Sequence, residues 1–576
     1  MEKKLQKLNK ENLQDIILEM AKTFSEEQYR RMELLIQGYL TDDMEYKEEQ
    51  LKQRMSQEFV DEKMLQVKTW MRQIDDGELC LDVEEYEDYS DSYWDRDWIV
   101  EYYDNQGIGD KILSIIQFAK DCVDDRRYQE ANDIYEWLWS MSVCTDSEWD
   151  SDPVDLEMLE ENDVIRTDMK QLALLTLYAD YQIQEQDNRA EDIYLYFSYA
   201  TFKKLHIEDM FYVGRENLTG KEQFLNDWIA LLQTKSGEVE ARLLKEAVFN
   251  RDGIEGLVTM ADGNADIHPS LYLTAMDEYS KKHDYAQMEK IGKKAIEKIN
   301  KKFKIRSQVA LRAAYASSCL LQEEYVMEFC WEAFCSDTTV RNFLRLFATE
   351  EMAKQYGING KMILPSAPQN DSVVFGRNEE LRQNLLSNID YYMLCFFTGD
   401  FVKTKSASKN PKESLGWTGT FIPYGIRLFL LYLYEKPLPS KAAESIARYI
   451  GFSDETDMEN LLGFENDIIE ESRRNKVSMF WNYFQRWKAY FQISPEEKKK
   501  YLAWAEKIVY SRADALVGKQ RRNHYGEAAE LLAIVAEIKE DMGLQGAKRT
   551  IFAEYKRKFP RHSSFQAEMK HYFGMV

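Results

Sequence analysis

The sequence predicts an all-α protein, an irregular α-solenoid of antiparallel helix pairs of the tetratricopeptide or HEAT-like kind. Three observations lead there. From His268 to Phe347 the chain reads as helix, short turn, helix, repeated, with apolar residues at helical spacing. Leu271, Leu273, Met276 and Tyr279 form one stripe, and Val309, Ala310, Ala313, Ala314 and Ser317 form a small-residue face that lets two helices approach closely. Second, glycine (25) and proline (10) are scarce among 576 residues while 31% are charged, which suits long amphipathic helices. Third, an aromatic residue opens a helical stripe four times: YQEANDIYEWL from Tyr128, YAQMEKIGKKAI from Tyr285, YVMEFCWEAF from Tyr325 and YGEAAELLAIVAEI from Tyr525. The period between them is irregular, so the chain is repeat-like without being a strict array. Each hairpin of such a fold buries its face against its neighbours, and no single large core is needed.

The elements follow in order. Residues 1–74 form an N-terminal helical segment. Leu13, Ile16, Ile17, Met20 and Phe24 mark one helix, the capping box Ser25-Glu-Glu-Gln28 opens a second, and Met64, Val67, Trp70 and Met71 mark a third. Residues 75–105 change character: thirteen acidic residues from Asp75 to Asp104 are interleaved with seven aromatics, and Arg96 is the sole base. We expect a connecting segment whose aromatics dock on neighbouring helices; an acidic surface for a basic partner, or a metal-binding loop, are the functional readings.

Residues 106–355 are the helical-repeat region. Helices are expected over Lys111 to Cys122 and Tyr128 to Met141, broken at Asp124-Asp125, then a loop over 145–163. Further helices are expected over Met169 to Gln186, Glu191 to Lys204, Phe224 to Thr234 and Val239 to Phe249 before the central stretch. Residues 356–420 are an irregular connection with breakers at Gly357, Gly360, Pro365, Pro368 and Gly376, a helix from Asn378 to Phe397, a basic loop and the tight LGWTG element. Residues 421–576 are a C-terminal helical region, where Ser440 caps one helix and Ser494-Pro-Glu-Glu497 starts another.

The formal net charge is −26, which favours solubility and disfavours non-specific binding to nucleic acid or anionic membrane. The sign reverses locally: Arg486 to Val576 holds 18 Lys and Arg against 11 Asp and Glu. Seven scattered cysteines (80, 122, 144, 319, 330, 335, 395) read as small buried hydrophobes in a reducing compartment, without a disulfide framework. The opening MEKKLQKLNKENLQDII has no apolar signal core, and the longest apolar run, Ile426 to Tyr434, is too short to span a bilayer. The expectation is a cytoplasmic protein with no membrane partner.

The succession EDYSDSYWDRDWIVEYYDNQG, DRRYQEANDIYEWL, SLGWTGTFIPYGIRLFLLYLY and RRNHYGEAAELLAIVAEIKEDMG with YKRKFPRHSSFQAEM resembles the helical region of bacterial SWIM zinc-finger proteins. In that family a finger with C-x-C and C-x-H pairs precedes the helical part. Neither pair occurs here, so the zinc site and any nucleic-acid role tied to it are not carried over. The resemblance implies a helical scaffold, with a separately encoded finger protein or ATPase as a partner.

No phosphate-binding loop, dinucleotide fingerprint, metalloprotease motif or nucleophile elbow is present, and no catalytic, cofactor or metal residue is assigned. Cys330 and Cys335 are five apart, about 140° around a helix, which suits core packing better than a shared metal. Lys403, Lys405, Lys409 and Lys412 form a basic loop that either holds phosphate or is simply solvated. The stronger candidate is the C-terminal basic face: Arg521, Arg522, Lys548, Arg549, Lys556, Arg557, Lys558 and Arg561. It contacts a partner protein, balances acidic residues of the same chain, or binds nucleic acid. Phe552, Tyr555, Phe559 and Phe565 fit helical core positions and do not form a base-stacking platform, which ranks nucleic acid last. The expected function is a non-catalytic scaffold or adaptor binding another protein. The alternatives are nucleic-acid association through the basic face, and an enzyme whose site hides between helices, recognisable by a pocket of convergent, perturbed carboxylates or histidines.

Overall fold

Apolar spacing becomes helix over most of the chain. The computed structural model describes residues 55–92, 95–146, 153–368, 381–408, 414–451 and 479–575. The two helices and the capping box expected before residue 50, together with Lys409 and Lys412, lie outside these residues. The chain divides into two compact units, Met1–Lys235 with Arg242–Arg251, and Ser236–Ala241 with Asp252–Val576.

In the first unit α1 (Gln57–Asp75) starts at Ser56, whose side chain accepts a hydrogen bond from the Phe59 N–H, and buries Val60, Val67 and Ile74. The acidic, aromatic segment is not a linker. It forms an antiparallel hairpin, β1 (Cys80–Ser92) and β2 (Asp95–Tyr103), with Tyr86 opposite Ile99 and Val83 opposite Tyr102. Leu81, Val83, Val100 and Tyr102 share the inner face, so a period of two runs beneath the acidic composition. On the other face Glu101 accepts from the hydroxyls of Tyr86 (2.6 Å) and Tyr103 (2.7 Å).

The next pair, α2 (Ile108–Asp124) and α3 (Tyr128–Ser140), breaks where expected. A short parallel strand, β3 (Cys144–Thr145), then completes the sheet order β2-β1-β3. This pairing sets Cys80 opposite Cys144, and the two form a disulfide, which corrects the reading of all seven cysteines as isolated thiols. Their separation of 64 residues carries no signal; only the strand register brings them together. Cys122, Cys319, Cys330, Cys335 and Cys395 are free.

Within the stretch expected as a loop, α4 (Leu156–Glu161) forms, capped by Asp155 and buried through Leu156 and Leu159. Then comes α5 (Met169–Ile183), buried at every position from Leu172 to Tyr181. The single helix expected over Glu191 to Lys204 is instead three pieces: α6 (Arg189–Leu195), a 3₁₀ turn (Tyr196–Ser198) and α7 (Ala200–Lys203). Tyr196, Phe197 and Phe202 are all buried, and one straight helix cannot point all three to a single side. After α8 (Met210–Val213) and α9 (Lys221–Gln233), the span α10 (Glu238–Asn264) is interrupted at Gly253, whose φ of 67° favours glycine.

In the second unit α11 (Ser270–Lys281), α12 (Tyr285–Lys298), α13 (Ile305–Cys319) and α14 (Glu323–Ser336) pack each on the next, the helical-repeat pattern of the central stretch. The small-residue face works as expected: Val309, Ala310, Ala313, Ala314 and Ser317 are buried. A Cβ added at Gly292 of α12 would lie 2.5 Å from the Cβ of Ala313, so the helices touch there through a glycine. The chain continues through α15 (Val340–Arg345), α16 (Glu350–Gln355), a 3₁₀ segment (Gly357–Ile363), α17 (Asn388–Phe397) and α18 (Phe401–Ala407). Next come α19 (Ile422–Leu433), α20 (Lys441–Tyr449), α21 (Met479–Tyr490) and α22 (Pro495–Gly518). The last three are α23 (Tyr525–Asp541), α24 (Ala547–Lys558) and α25 (Ser563–Phe573). Ser440 caps α20, and Ser494 with Glu497 makes a full capping box on α22. Helices α19, α20, α22, α24 and α25 all pack on α23, which is buried continuously from Ala528 to Ile538. The protein is all-α apart from the small sheet, and no helix among the described residues is long and apolar enough to cross a membrane.

Candidate functional site

The basic C-terminal face is sorted by the geometry of α24. Ala547, Ile551 and Tyr555 are its buried stripe. At about 100° per residue, Lys548 and Lys558 flank that stripe while Arg549, Lys556 and Arg557 fall on the far side. The flanking lysines turn inward: Lys548 Nζ is 2.7 Å from Glu537 of α23, and Lys558 Nζ is 2.6 Å from Asp514 of α22. These two therefore balance charge inside the chain, against carboxylates of the C-terminal region itself. Arg549, Lys556 and Arg557 are exposed, as are Arg521 and Arg522 before α23 and Arg561 after α24. Among the described residues none of these six side chains is held in an ion pair. The cations of the last turn also complement the carbonyl end of α24. The aromatics between them face inward: Tyr555 and Phe565 are buried, and Phe559 packs on both, with ring centroids 6.2 Å from each.

Lys403 and Lys405 are on α18, so the expected basic loop is helical in its first half. Lys403 donates to the Tyr391 hydroxyl and lies 4.7 Å from that ring, while Lys405 sits 5.2 Å from the Tyr501 ring and 5.3 Å from Trp504. Both are half-buried on aromatic faces, an arrangement that ties them into the fold. Trp417 of the LGWTG element is buried beneath the Arg512 guanidinium, 4.6 Å from its ring. Arg512 also donates to the carbonyls of Ser414 and Leu415 (3.1 Å each) and pairs with Glu527 at 3.0 Å. Those bonds anchor the turn.

Burial pushes the Cys330 thiol up to about 11, and burial with the charge of Glu332 pushes Cys335 up to about 12, so neither is poised as a nucleophile. His206 lies 3.0 Å from Glu246 and His524 3.1 Å from Glu527. Among the described residues no three His, Cys, Asp or Glu side chains are grouped to hold a metal ion.

A cleft of about 250 Å³ opens in the first unit between α3, the C-terminal end of α5, α6 and the turn after it. Three carboxylates line it, Glu136, Asp180 and Asp192, with Trp139, Tyr196 and Tyr199 as walls and no basic side chain. Asp180 is 2% exposed. Its Oδ1 accepts from Gln184 Nε2 at 3.0 Å, and its Oδ2 has no partner. Burial raises its carboxyl to about 6; the hydrogen bond from Gln184 opposes this, and the negative charges of Asp192 and Glu136 add to it. The Trp139 indole N–H is committed to Thr176 Oγ1 at 2.9 Å, and its ring lies 5.7 Å from that of Tyr199. A lone aspartate inside LALLTLYADY was the available signal, since an acid in an otherwise apolar run demands a partner. Comparison with protein-family models, curated proteins and solved structures returns no match to this chain.

Proposed function

We propose that this chain is a non-catalytic helical scaffold that binds another protein through the cationic surface of α24 and its flanking turns. The observation that carries the reading is the set of six exposed cations, Arg521, Arg522, Arg549, Lys556, Arg557 and Arg561, without ion-pair partners among the described residues of a chain whose net charge is −26. Such a patch suits an acidic segment of a partner, steered by charge and held by contacts spread over several turns. The inward packing of Tyr555, Phe559 and Phe565 supports a protein over nucleic acid, because bases have no ring to stack on. The resemblance to the helical region of SWIM zinc-finger proteins makes a separately encoded finger protein or ATPase the first partner class to examine.

The test is affinity capture from the native organism at low and moderate salt, with and without nuclease, using the wild-type chain and a Lys556→Glu/Arg557→Glu variant. Lys558 is left intact because it pairs with Asp514. A stoichiometric protein, resistant to nuclease and lost on charge reversal, is expected. Nucleic acid as the only retained material would replace this reading with the runner-up. A partner held equally by the variant would move the interface elsewhere.

A further inference from the structure

Three carboxylates line the cleft at the end of α5, and no basic side chain lines it with them. Buried carboxylates that serve only the fold are normally closed by hydrogen bonds or cations, because an unpaired buried acceptor costs stability. Asp180 departs from that rule on one oxygen only: Oδ1 is satisfied by Gln184, and Oδ2 has no donor. Beside it, Glu136 accepts from Asn132 Nδ2 at 2.8 Å and is exposed at the rim with Leu195. Asp192 approaches from α6. The walls are Trp139, Tyr196 and Tyr199, and with the Trp139 N–H tied to Thr176 its ring offers no donor to the cleft. What is missing is one group that carries positive charge, donates hydrogen bonds and has an apolar stem for aromatic contact.

We propose that this cleft is a binding site for an organic cation bearing N–H donors, an alkylammonium or guanidinium group whose charged head reaches Asp180 between Glu136 and Asp192 and whose stem lies against Trp139, Tyr196 and Tyr199. A bare metal ion is the wrong occupant, because these carboxylates are not grouped as a ligand set. A neutral ligand would supply the missing hydrogen bond and leave the three like charges uncompensated. The head group comes either from a free amine or from a lysine or arginine side chain of a peptide, and the two share the same chemistry. This site is independent of the cationic surface on α24.

The experiment is isothermal titration of the full chain with four probes: n-butylammonium, agmatine, Nα-acetyl-lysine methylamide and its uncharged isostere Nα-acetyl-norleucine methylamide. At least one of the three cations is expected to bind at least about tenfold more tightly than the norleucine compound, as a charge-assisted contact in a desolvated site requires. Binding of the free amines alone assigns the site to a small molecule; binding of the lysine compound assigns it to a protein side chain. Asp180→Asn is expected to lose binding by about tenfold or more, and Glu136→Gln, at the exposed rim, by about threefold. Asp180→Asn should also unfold at a higher temperature than wild type at neutral pH, which separates lost recognition from a damaged fold. Equal affinity for the norleucine compound, unchanged binding by Asp180→Asn, or no binding of any cation at millimolar concentration would each overturn the proposal.

Discussion

Helix α5 of the first unit and helix α23 of the second are each buried along an unbroken run, and these two helices treat buried acid in opposite ways. In the second unit α23 carries Glu530 and Glu537, 5% and 1% exposed. Glu530 receives Arg427 Nη2 at 2.8 Å and the Ser445 hydroxyl, and Arg427 stacks 3.7 Å from the Tyr449 ring while donating to the Pro423 carbonyl. Glu537 receives Lys548 and the Ser440 hydroxyl. Both carboxylates have a cation and a hydroxyl. In the first unit α5 carries Asp180, equally buried, with one amide donor, two like charges nearby and no cation. Closed networks hold helices in register. A buried carboxylate with one oxygen unpartnered beside a cleft is the arrangement expected where an outside group completes the set.

The largest effect is expected at Arg427. Arg427→Ala leaves Glu530 charged and buried with a serine alone, and should destabilise the protein by about 3–5 kcal/mol in chemical denaturation. A smaller loss would mean that Glu530 is protonated or hydrated on its own.

Asp180→Asn should act in the opposite direction. The folded-state pKa, about 6, is raised above the usual 3.8, chiefly by burial and further by Asp192 of α6 and Glu136 of α3. Wild-type stability from this group is therefore full below about pH 4 and is lost as pH rises through about 6. The asparagine variant should match wild type near pH 4 and exceed it by about 3 kcal/mol above pH 7, from roughly two pH units at about 1.4 kcal/mol each. A cation bound to wild type should narrow that gap. Thermal unfolding across the pH range checks the sign, and a variant less stable than wild type at pH 7 would show that Asp180 is structural.

Lys548→Met removes the cation from Glu537 but keeps Ser440, and should cost about 1–2 kcal/mol, below the Arg427 effect because Lys548 is partly solvated. The smallest effect sharpens the contrast between inward and outward cations on one helix. Lys558→Ala, whose pair with Asp514 is 45% and 38% exposed, should change stability by less than about 0.5 kcal/mol.

Much of this was legible in the chain. The stripes from His268 onward, the caps at Ser440 and Ser494, and the tight face around Ala313 are local facts, because helical period and capping act within a few residues. The inward and outward sorting of Lys548, Arg549, Lys556, Arg557 and Lys558 was also available, since it needs only the stripe Ile551–Tyr555 and 100° per residue. The hairpin of β1 and β2 was hidden by composition. Its inner face rests on Leu81, Val83, Val100 and Tyr102, and the surrounding Asp and Glu, poor strand formers, masked the alternation.

By itself, then, the sequence determined an all-α protein of repeat-like helix pairs, its caps and breaks, and a basic C-terminal region, each set by interactions between near neighbours along the chain. Only the tertiary structure decided which charges are spent internally and which remain open. Arg427 reaches Glu530 across 103 residues, Cys80 reaches Cys144 across 64, and Glu136, Asp180 and Asp192 line one cleft from three helices. Those outcomes depend on which helix or strand faces which, and that is settled by burying apolar surface throughout each unit rather than by any local pattern.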